Sequence, residues 1–320
     1  MRRMASSMIV LLVVVIGAFL LMEAAPGDAV DAYAVSLGGD AAMMDELRAQ
    51  WGLDQSLSRR LQVYLISLAQ GNLGWSVAFS RPILDIISER LPNTLLLMGA
   101  STALSFFIGS LLGIYAGAKP GSFRDRFLSA ASLALYAVPG FWLALVLIIF
   151  FSISLRWFPS GGVETIASGK YGLARALDIV RHLTLPVLSL SMIYLALYLR
   201  VMRSAMGQVW QMDFVGALRA RGLSERRILW RHVVRNALLP LVTMLGLQAA
   251  TMLGGSVVIE SVFAIPGLGR LAQEAVNARD TALLMGIILI SALMVIIVNF
   301  ITDLFYSWLD PRIAKAGDAA

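Results

Sequence analysis

Long apolar stretches separated by polar connections run along most of this chain. A helix that crosses the hydrocarbon core of a bilayer needs about 20 apolar residues at the helical rise of about 1.5 Å. Six stretches meet or approach that length, and none contains an acidic or basic residue. They are Met4–Met22, Leu91–Ala118, Phe127–Leu155, Leu183–Leu199, Asn236–Ile259 and Thr281–Thr302. The pattern predicts an all-α polytopic membrane protein with six transmembrane helices.

The polar connections divide the chain into four predicted parts. The first helix occupies 1–25, a long extracytoplasmic segment 26–90, a five-helix core 91–310 and a tail 311–320. Within the core we expect spans at about 91–118, 127–155, 183–203, 236–259 and 281–305, with a polar loop at 204–238. Small residues follow the first apolar stretch, so that stretch is either retained as a span or removed as a signal peptide.

Lysine and arginine concentrate in the connections that a six-span layout places on one face. Because cytoplasmic loops are enriched in these residues, that face is expected to be cytoplasmic and to carry both termini. The residues are Arg2, Arg3, Lys119, Arg124, Arg126, the arginines of Asp213–Pro240, Arg312 and Lys315. The formal charge of +6 therefore reports topology, and we do not interpret it as nucleic-acid binding.

Composition agrees with a membrane protein and removes several kinds of chemistry. Of the 320 residues, 58% are hydrophobic and 14% are charged, and none is cysteine. Disulfides, thiolate metal sites and cysteine nucleophiles are therefore excluded. The two histidines, His182 and His232, are too far apart for a zinc-type spacing. No Gly-x4-Gly-Lys-Ser/Thr loop occurs, so the chain has no visible means of hydrolysing ATP.

The extracytoplasmic segment begins with a turn at Pro26-Gly27-Asp28 and then becomes amphipathic. Asp40–Trp51 and Ser56–Ala69 both show the apolar spacing of helices, but both are too polar to span. Two compatible interpretations follow. The helices lie on the outer face of the membrane, and their surface also serves to dock a delivery protein.

Small residues mark two of the predicted spans. Gly109, Gly113 and Gly117 are four residues apart in the second span, a spacing that lets helix backbones approach closely in lipid. Their partner helix belongs either to this chain or to a second subunit. In the third span, Pro139-Gly140 predicts a kink or an interruption.

The stretch Asp213–Pro240 is basic and dense in charge. A short helix from Asp213 is expected to end at Gly222 in a left-handed cap, and Ser224 is placed to cap the next helix. In that helix Arg227, Arg231 and Arg235 follow one another at intervals of four and form a basic ridge. The segment is either a rigid element that a partner protein contacts or an interfacial helix on anionic lipid headgroups.

The connection after the fifth span contains a second candidate site. Pro266-Gly267-Leu268-Gly269 predicts a tight turn, and the apolar residues Phe263 and Ile265 precede it. Phe263, Pro266, Gly267 and Gly269 are candidates for an outer gate. The alternative is a surface turn with two anchoring apolar residues.

Several motifs resemble one family. The loop Asp213–Pro240 looks like the cytoplasmic EAA loop of permease subunits in binding-protein-dependent ATP-binding-cassette (ABC) importers, and most closely like the dipeptide/oligopeptide/nickel branch. Further matches keep their order along the chain. They are Pro26–Asp28, Trp51–Gln55, Gly71–Ser76, Arg90–Leu95, His182–Pro186, Val257–Gly269 and Leu309–Arg312. The positions of the general Glu-Ala-Ala pattern hold Gly216, Ala217 and Leu218, so that only the central alanine and Gly222 match it.

The resemblance implies a non-catalytic permease subunit of a bacterial inner-membrane importer. It implies a second permease, two cytoplasmic ATPase subunits that use ATP and magnesium, and an extracytoplasmic binding protein; this chain itself would bind no cofactor. Membrane lipid is the remaining expected partner. The cargo would be a dipeptide or oligopeptide, with nickel chelates or glutathione as alternatives.

The resemblance also implies roles for particular residues of the loop. Its first helix and glycine turn would be the coupling helix that seats in a groove of the ATPase. The expected contact residues are Asp213, Ala217, Arg219, Arg221, Gly222, Leu223 and Ser224. A rival class, the ion-coupled secondary transporter, usually places ionisable residues inside its spans, and the six apolar stretches contain no acidic or basic ones.

Overall fold

The computed structural model describes residues 2–24, 46 and 54–309, and most of these are helical. The helices are α1 (Arg2–Ala24), α2 (Leu57–Ala69), α3 (Ile83–Gly117), α4 (Phe123–Ala137), α5 (Gly140–Leu147), α6 (Gly172–Trp210), α7 (Asp213–Ala220), α8 (Glu225–Ile228), α9 (Val234–Val262), α10 (Leu268–Asn277) and α11 (Thr281–Leu309). Two π-helical turns, Ile148–Ser154 and Leu229–Val233, follow α5 and α8. Two-residue strands β1 (Trp75–Ser76) and β2 (Arg81–Pro82) pair antiparallel. The all-α prediction is confirmed.

Three described helices are long and apolar enough to cross a membrane, namely Ile83–Gly117, Gly172–Trp210 and Thr281–Thr302. A fourth span results if the bent pair Phe123–Ala137 and Gly140–Ser154 is counted as one. Within α1, Ile9–Leu21 is a shorter apolar helix. The count of six spans therefore stays a prediction.

The helices that correspond to predicted spans extend beyond them. Helix α3 begins at Ile83 instead of Leu91, because Ile83, Ile86 and Ile87 form a buried face one turn apart that continues the helix toward its N-terminus. Pro92 stands inside the helix and does not start it. Helix α6 runs from Gly172 to Trp210, so residues 204–210 of the predicted loop 204–238 are helical.

The predicted interruption at Pro139-Gly140 is confirmed. Helix α4 ends at Ala137, and its axis makes an angle of 99° with the helical segment Gly140–Ser154. Val138 has extended backbone angles (φ −81°, ψ 128°), the conformation that a following proline imposes. Pro139 then opens α5 at a position where its missing N–H group costs no hydrogen bond.

The described residues divide into two compact units. One consists of the chain up to Pro92 together with 267–296, and the other of 93–266 with the residues from 297 onward. In the first unit, α2 packs on α1 through the stacked rings of Phe19 and Tyr64 at 5.6 Å, and Arg60 pairs with Glu23. Helix α2 confirms the amphipathic helix predicted at 56–69, whereas the helix predicted at Asp40–Trp51 lies outside the described residues apart from Glu46.

One buried carboxylate organises the rest of the first unit. Asp280 accepts hydrogen bonds from Ser76 Oγ at 2.5 Å and from the Ala78 N–H at 3.1 Å. Its second oxygen accepts from the Leu283 N–H at 2.9 Å, which caps the first turn of α11. Asp280 thereby ties the β1–β2 turn to the start of α11.

Two buried apolar clusters hold the second unit together. One lies where α6, α7, α9 and the segment between α7 and α9 meet, and it includes Tyr198, Met202, Val215, Ile228 and Leu241. The other surrounds the chain after α9 and includes Leu97, Leu185, Ile259, Phe263 and Ile265. The first cluster supports the predicted coupling segment, and the second supports the predicted gate.

Candidate functional site

Helix α7, the first part of the predicted coupling segment, ends as the sequence predicts. Gly222 has φ +78°, in the left-handed region that favours glycine. Its N–H donates to the Arg219 carbonyl at 2.9 Å, and the Leu223 N–H donates to the Leu218 carbonyl at 3.2 Å. These two bonds are the Schellman arrangement, which satisfies carbonyls at the end of a helix and reverses the chain. The turn after α7 is therefore fixed by its own hydrogen bonds.

The two faces of α7 differ in size and polarity. Val215 is fully buried, and Phe214 and Leu218 pack beside it in the apolar cluster. The opposite face is exposed and carries the small residues Gly216, Ala217 and Ala220, with Asp213, Arg219 and Arg221 also exposed around it. A β-carbon added at Gly216 would meet no atom within 4 Å. The exposed face has only small side chains at its centre and charged residues at its border, so another protein can approach its backbone closely.

A salt bridge joins the two sides of the Gly222 turn. Arg219 Nε donates to Glu225 Oε1 at 2.7 Å, and Arg219 Nη2 donates to Oε2 at 3.3 Å. These hydrogen bonds hold the pKa of Glu225 below its ordinary value and raise the pKa of Arg219. The Arg219 guanidinium also lies 5.4 Å from the centre of the Trp210 ring. Arg219 therefore fixes α7 relative to both the end of α6 and the start of α8.

The second helix of the segment differs from its prediction. Ser224 occupies the N-cap position of α8, but its side chain makes no capping hydrogen bond; its carbonyl accepts from the Arg227 and Ile228 N–H groups instead. The π-helical turn Leu229–Val233 widens the helix and changes which residues face inward. Ile228 is buried, whereas Trp230 is 52% exposed. Arg227, Arg231 and Arg235 are all exposed.

Sequence reasoning missed a buried carboxylate that braces the same end of the unit. Asp125, only 1% exposed, accepts from Arg203 Nε at 2.8 Å and from Arg203 Nη2 at 3.0 Å. It also accepts from the Gly121 N–H at 2.8 Å. Asp125 thus ties the short connection between α3 and α4 to the last third of α6. An acidic residue between Arg124 and Arg126 was the available signal.

Replacing Asp125 with asparagine is expected to lower the free energy of unfolding by about 2 kcal/mol, because a bidentate pair to a buried carboxylate is lost. The matched control is Glu164→Gln, which removes the bidentate but exposed pair with Arg175. Exposed pairs contribute about 0–1 kcal/mol, so the control should change little. Denaturant unfolding of both purified variants in detergent measures the difference, and equal losses would contradict the bracing role.

The glycine ladder of α3 lies against α6 of the same chain. A β-carbon at Gly109 would come within 2.8 Å of the Leu195 carbonyl oxygen, and one at Gly113 within 2.5 Å of Met202 Cβ. At Gly117 the nearest atom would be Met206 Cβ at 2.9 Å. Real β-carbons do not approach so closely, so all three positions require glycine for this packing.

The segment after α9 turns back into the second unit. Phe263 and Ile265 are fully buried. Ala264 between them has φ +51°, an uncommon conformation for a residue other than glycine. The Ile265 N–H donates to the Glu260 carbonyl at 2.8 Å, which closes the turn. Phe263, a predicted gate residue, and Ile265 therefore point into the protein and not toward solvent.

Two other elements hold this turn by hydrogen bonds. From α3, Asn93 Nδ2 donates to the Pro266 carbonyl at 2.8 Å and Thr94 Oγ1 donates to Glu260 Oε1 at 2.7 Å. From the connection before α6, the Gly162 N–H donates to the Phe263 carbonyl at 2.8 Å. A β-carbon at Gly161 would lie 2.6 Å from that same oxygen. We call residues 260–266, held in this way, the outer clamp.

The tight turn predicted at Pro266-Gly267-Leu268-Gly269 is wrong in its second half, which is helical. Gly267 has extended backbone angles (φ −111°, ψ −177°) and stands immediately before α10. Leu268 and Gly269 are the first residues of that helix, and both are buried. Leu268, Leu271 and Ala275 form one buried face of α10, and this amphipathic pattern outweighs the turn signal of the glycines.

Comparison with known proteins identifies the family. The model of the family described as binding-protein-dependent transport system inner membrane component matches residues 109–315. The chain belongs to this family. Membership confirms the recognition from sequence motifs, and it confirms that the chain is a non-catalytic membrane component of a transport system.

Relatives of this inner membrane component match over nearly its whole length. A Brucella ovis protein that carries the name of a peptide permease is 40% identical over 315 residues, covering 98% of each chain. The oligopeptide transport system permease protein AppB of Bacillus subtilis is 37% identical over 317 residues, again covering 98% of each. The di/tripeptide transport system permease protein DppB of Pseudomonas aeruginosa is 37% identical and covers 92% of each.

Among solved structures, the inward-facing MetNI methionine ABC transporter contains a similar chain. The two agree with a TM-score of 0.57 at 18% identity, over 71% of this chain and 97% of that one. At this identity the likeness concerns the fold alone. The matched part of this inner membrane component therefore shares the fold of that chain.

Proposed function

We propose that this chain is the permease subunit of an ATP-driven importer of dipeptides or oligopeptides and forms half of the translocation pathway. The observation that carries the proposal is the 37% identity, over nearly the whole chain, to permeases named for oligopeptide and di/tripeptide transport. Nickel chelates and glutathione are alternative cargoes of the same importer type. A second permease supplies the other half, and an extracytoplasmic protein delivers the cargo.

The segment 213–224 is the contact with a cytoplasmic ATPase. The exposed small-residue face of α7 supports this role, because a motor protein can seat against it without displacing any part of this chain. The Schellman turn at Gly222 makes the segment rigid, and the exposed Arg219–Glu225 salt bridge adds a contact across the turn. Rigidity matters because a displacement imposed by ATP binding has to reach the spans through α6 and α9.

The outer clamp forms the extracytoplasmic gate. Its hydrogen bonds link the end of α9 to α3 and to the connection before α6, so relative movement of these elements requires the bonds to break or move together. Alternating access needs such a switch between two arrangements, each favoured by a different ligand state. In this scheme ATP binding moves α7, and the clamp opens on the other side of the bilayer.

This assignment sets the orientation in the bacterial inner membrane. Helix α7, the connection that carries Lys119 and the start of α4 with Arg124 face the cytoplasm, with both termini. The outer clamp, α2 and the β1–β2 turn face the opposite side.

Reconstitution of the whole importer tests the proposed function. The tagged chain is expressed with the subunits encoded beside it, purified in mild detergent and placed in liposomes. We expect ATPase subunits and a second permease to co-purify, and ATP hydrolysis to rise when binding protein and a short peptide are added together. Nickel chelates and glutathione, tested in parallel, should not produce that rise. A chain that purifies alone and moves substrate on an ion gradient would contradict the proposal.

A further inference from the structure

A cavity of about 590 Å³ lies beside the predicted coupling segment. It is bounded by the last turns of α3, by the connection to α4, by the end of α6 and by α8 with its π-helical turn. Its apolar wall includes Leu111, Ile114 and Leu229. Three aromatic rings, those of Tyr115, Trp210 and Trp230, line it as well.

The polar lining of the cavity is mainly cationic. Lys119, Arg124 and Arg226 all line it, and within the described part of the chain none of the three forms an ion pair. By contrast, Arg203 and Arg219 outside its lining are neutralised by Asp125 and Glu225. Glu225 is the carboxylate among the lining residues, and both of its oxygens already accept from Arg219. The unpaired charges are therefore positive.

Arg124 is the basic residue of the cavity with the clearest need for an acceptor. Its guanidinium lies 4.5 Å from the centre of the Tyr115 ring, which holds the group in place at the cavity wall. Its Nε is buried and has no hydrogen-bond partner among the described residues. A buried, charged donor without a partner is unfavourable, and an acceptor entering the cavity would remove that cost.

We propose that this cavity binds an anionic phospholipid, with the phosphate group against Lys119, Arg124 and Arg226 and an acyl chain along the apolar wall. A free anion would use only the basic residues. The apolar wall continues onto α3, a membrane-spanning helix, and the half-exposed rings of Tyr115 and Trp230 fit the headgroup depth of a bilayer. The cytoplasmic leaflet of the membrane contains anionic lipids. The assignment of the cavity to this leaflet rests on the proposed function, whereas the binding of an anionic lipid does not.

A bound lipid would stabilise the coupling segment. Trp210 and Glu225 both line the cavity, and both also contact Arg219, which lies outside the lining. A phosphate held between Lys119 and Arg226 would therefore connect the end of α3 to α8, next to the Gly222 turn. Lipid composition would then set how firmly the coupling segment is attached to the spans.

Native mass spectrometry of the purified full-length chain tests this proposal, with phosphatidylglycerol and phosphatidylcholine as probes. We expect phosphatidylglycerol to bind more tightly than phosphatidylcholine. The triple variant K119Q/R124Q/R226Q should bind phosphatidylglycerol about a hundredfold more weakly, since each of the three basic residues contributes about a fivefold factor to binding an anionic headgroup. The matched control R227Q/R231Q/R235Q removes the same charge from the exposed ridge outside the cavity and should bind as the parent does.

Three results would overturn the proposal. An equal loss of phosphatidylglycerol binding in both triple variants would mean that the lipid is attracted to basic charge anywhere on this surface. Equal binding of phosphatidylglycerol and phosphatidylcholine would mean that the cavity binds acyl chains without selecting the headgroup. Displacement of the lipid by millimolar inorganic phosphate, with phosphate binding lost in K119Q/R124Q/R226Q, would mean a free-anion site.

Melting temperatures of all variants check that each is folded. If Arg124→Gln proves unstable, the double variant K119Q/R226Q replaces the triple variant in the test. It changes only exposed side chains and should still weaken phosphatidylglycerol binding severalfold. Because these measurements use the chain without ATPases, a failure of the proposed transport function would leave their outcome unchanged.

Discussion

Replacing Gly113 with leucine is expected to prevent stable folding of the chain. Even a β-carbon at this position would lie 2.5 Å from Met202 Cβ and 2.7 Å from the Leu199 carbonyl oxygen. Backbone atoms cannot yield as a flexible side chain can, so α3 and α6 would have to separate along their whole contact. Overpacking of this kind costs about 3 kcal/mol or more, a large part of the stability of a typical domain.

The measurement is the yield of monodisperse protein after detergent extraction, followed by its melting temperature. Gly99→Leu is the matched control, since Gly99 lies in the same helix and a β-carbon there would meet nothing within 4 Å. We expect the control to keep the parent's yield and to melt within a few degrees of it. Normal yield and melting of Gly113→Leu would show that the contact between α3 and α6 is wrong.

Replacing Gly216 with tryptophan is expected to abolish transport while the chain still folds. Gly216 is exposed on α7, and the space beyond it is empty in this chain. A large ring there would hold a docked ATPase away from the small-residue face. Loss of a central contact in a protein interface costs about 2 kcal/mol or more, so coupled transport should fall about thirtyfold or further.

Peptide uptake by proteoliposomes and the amount of ATPase that co-purifies are the two readouts. Gln208→Trp is the control, because Gln208 is also exposed but lies near the end of α6, outside the α7 face. It should leave uptake near the parent's level. If Gly216→Trp supported normal uptake with normal ATPase content, the contact surface would have to lie elsewhere on the cytoplasmic side.

The features that could be predicted depend on neighbouring residues in the chain. Apolar stretches of about 20 residues form helices wherever they occur in a bilayer, and the break at Val138-Pro139 follows from proline itself. The end of α7 follows from Gly222 and the two carbonyls before it. Each of these requires information from only a few consecutive residues.

The features that escaped prediction join residues far apart in sequence. Asp125 and Arg203 are 78 positions apart, and Asn93 and Pro266 are 173 positions apart. Neither pair can be recognised before the helices are packed. The link between Asp280 and the β1–β2 turn was missed for the same reason, since Asp280 and Ser76 are 204 positions apart.

Competing local signals account for the remaining errors. The predicted span starts at Leu91, directly after Arg90, but the buried isoleucines before it continue α3 by one more apolar face. Gly267 and Gly269 indicated a turn, but the leucines around them form the buried side of α10. In both cases burial of apolar side chains outweighed a local signal from one or two residues.

Disulfide cross-linking tests the central claim most directly, since the chain has no cysteine of its own. A cysteine introduced by Ala217→Cys lies on the exposed face of α7, and one introduced by Ser168→Cys lies in the exposed connection before α6. The account predicts that oxidation of the assembled importer links Ala217→Cys to an ATPase subunit that carries a cysteine in its docking groove, and that Ser168→Cys gives no such link. Cross-linking of the ATPase through Ser168→Cys, with none through Ala217→Cys, would contradict both the assigned contact and the orientation of the chain.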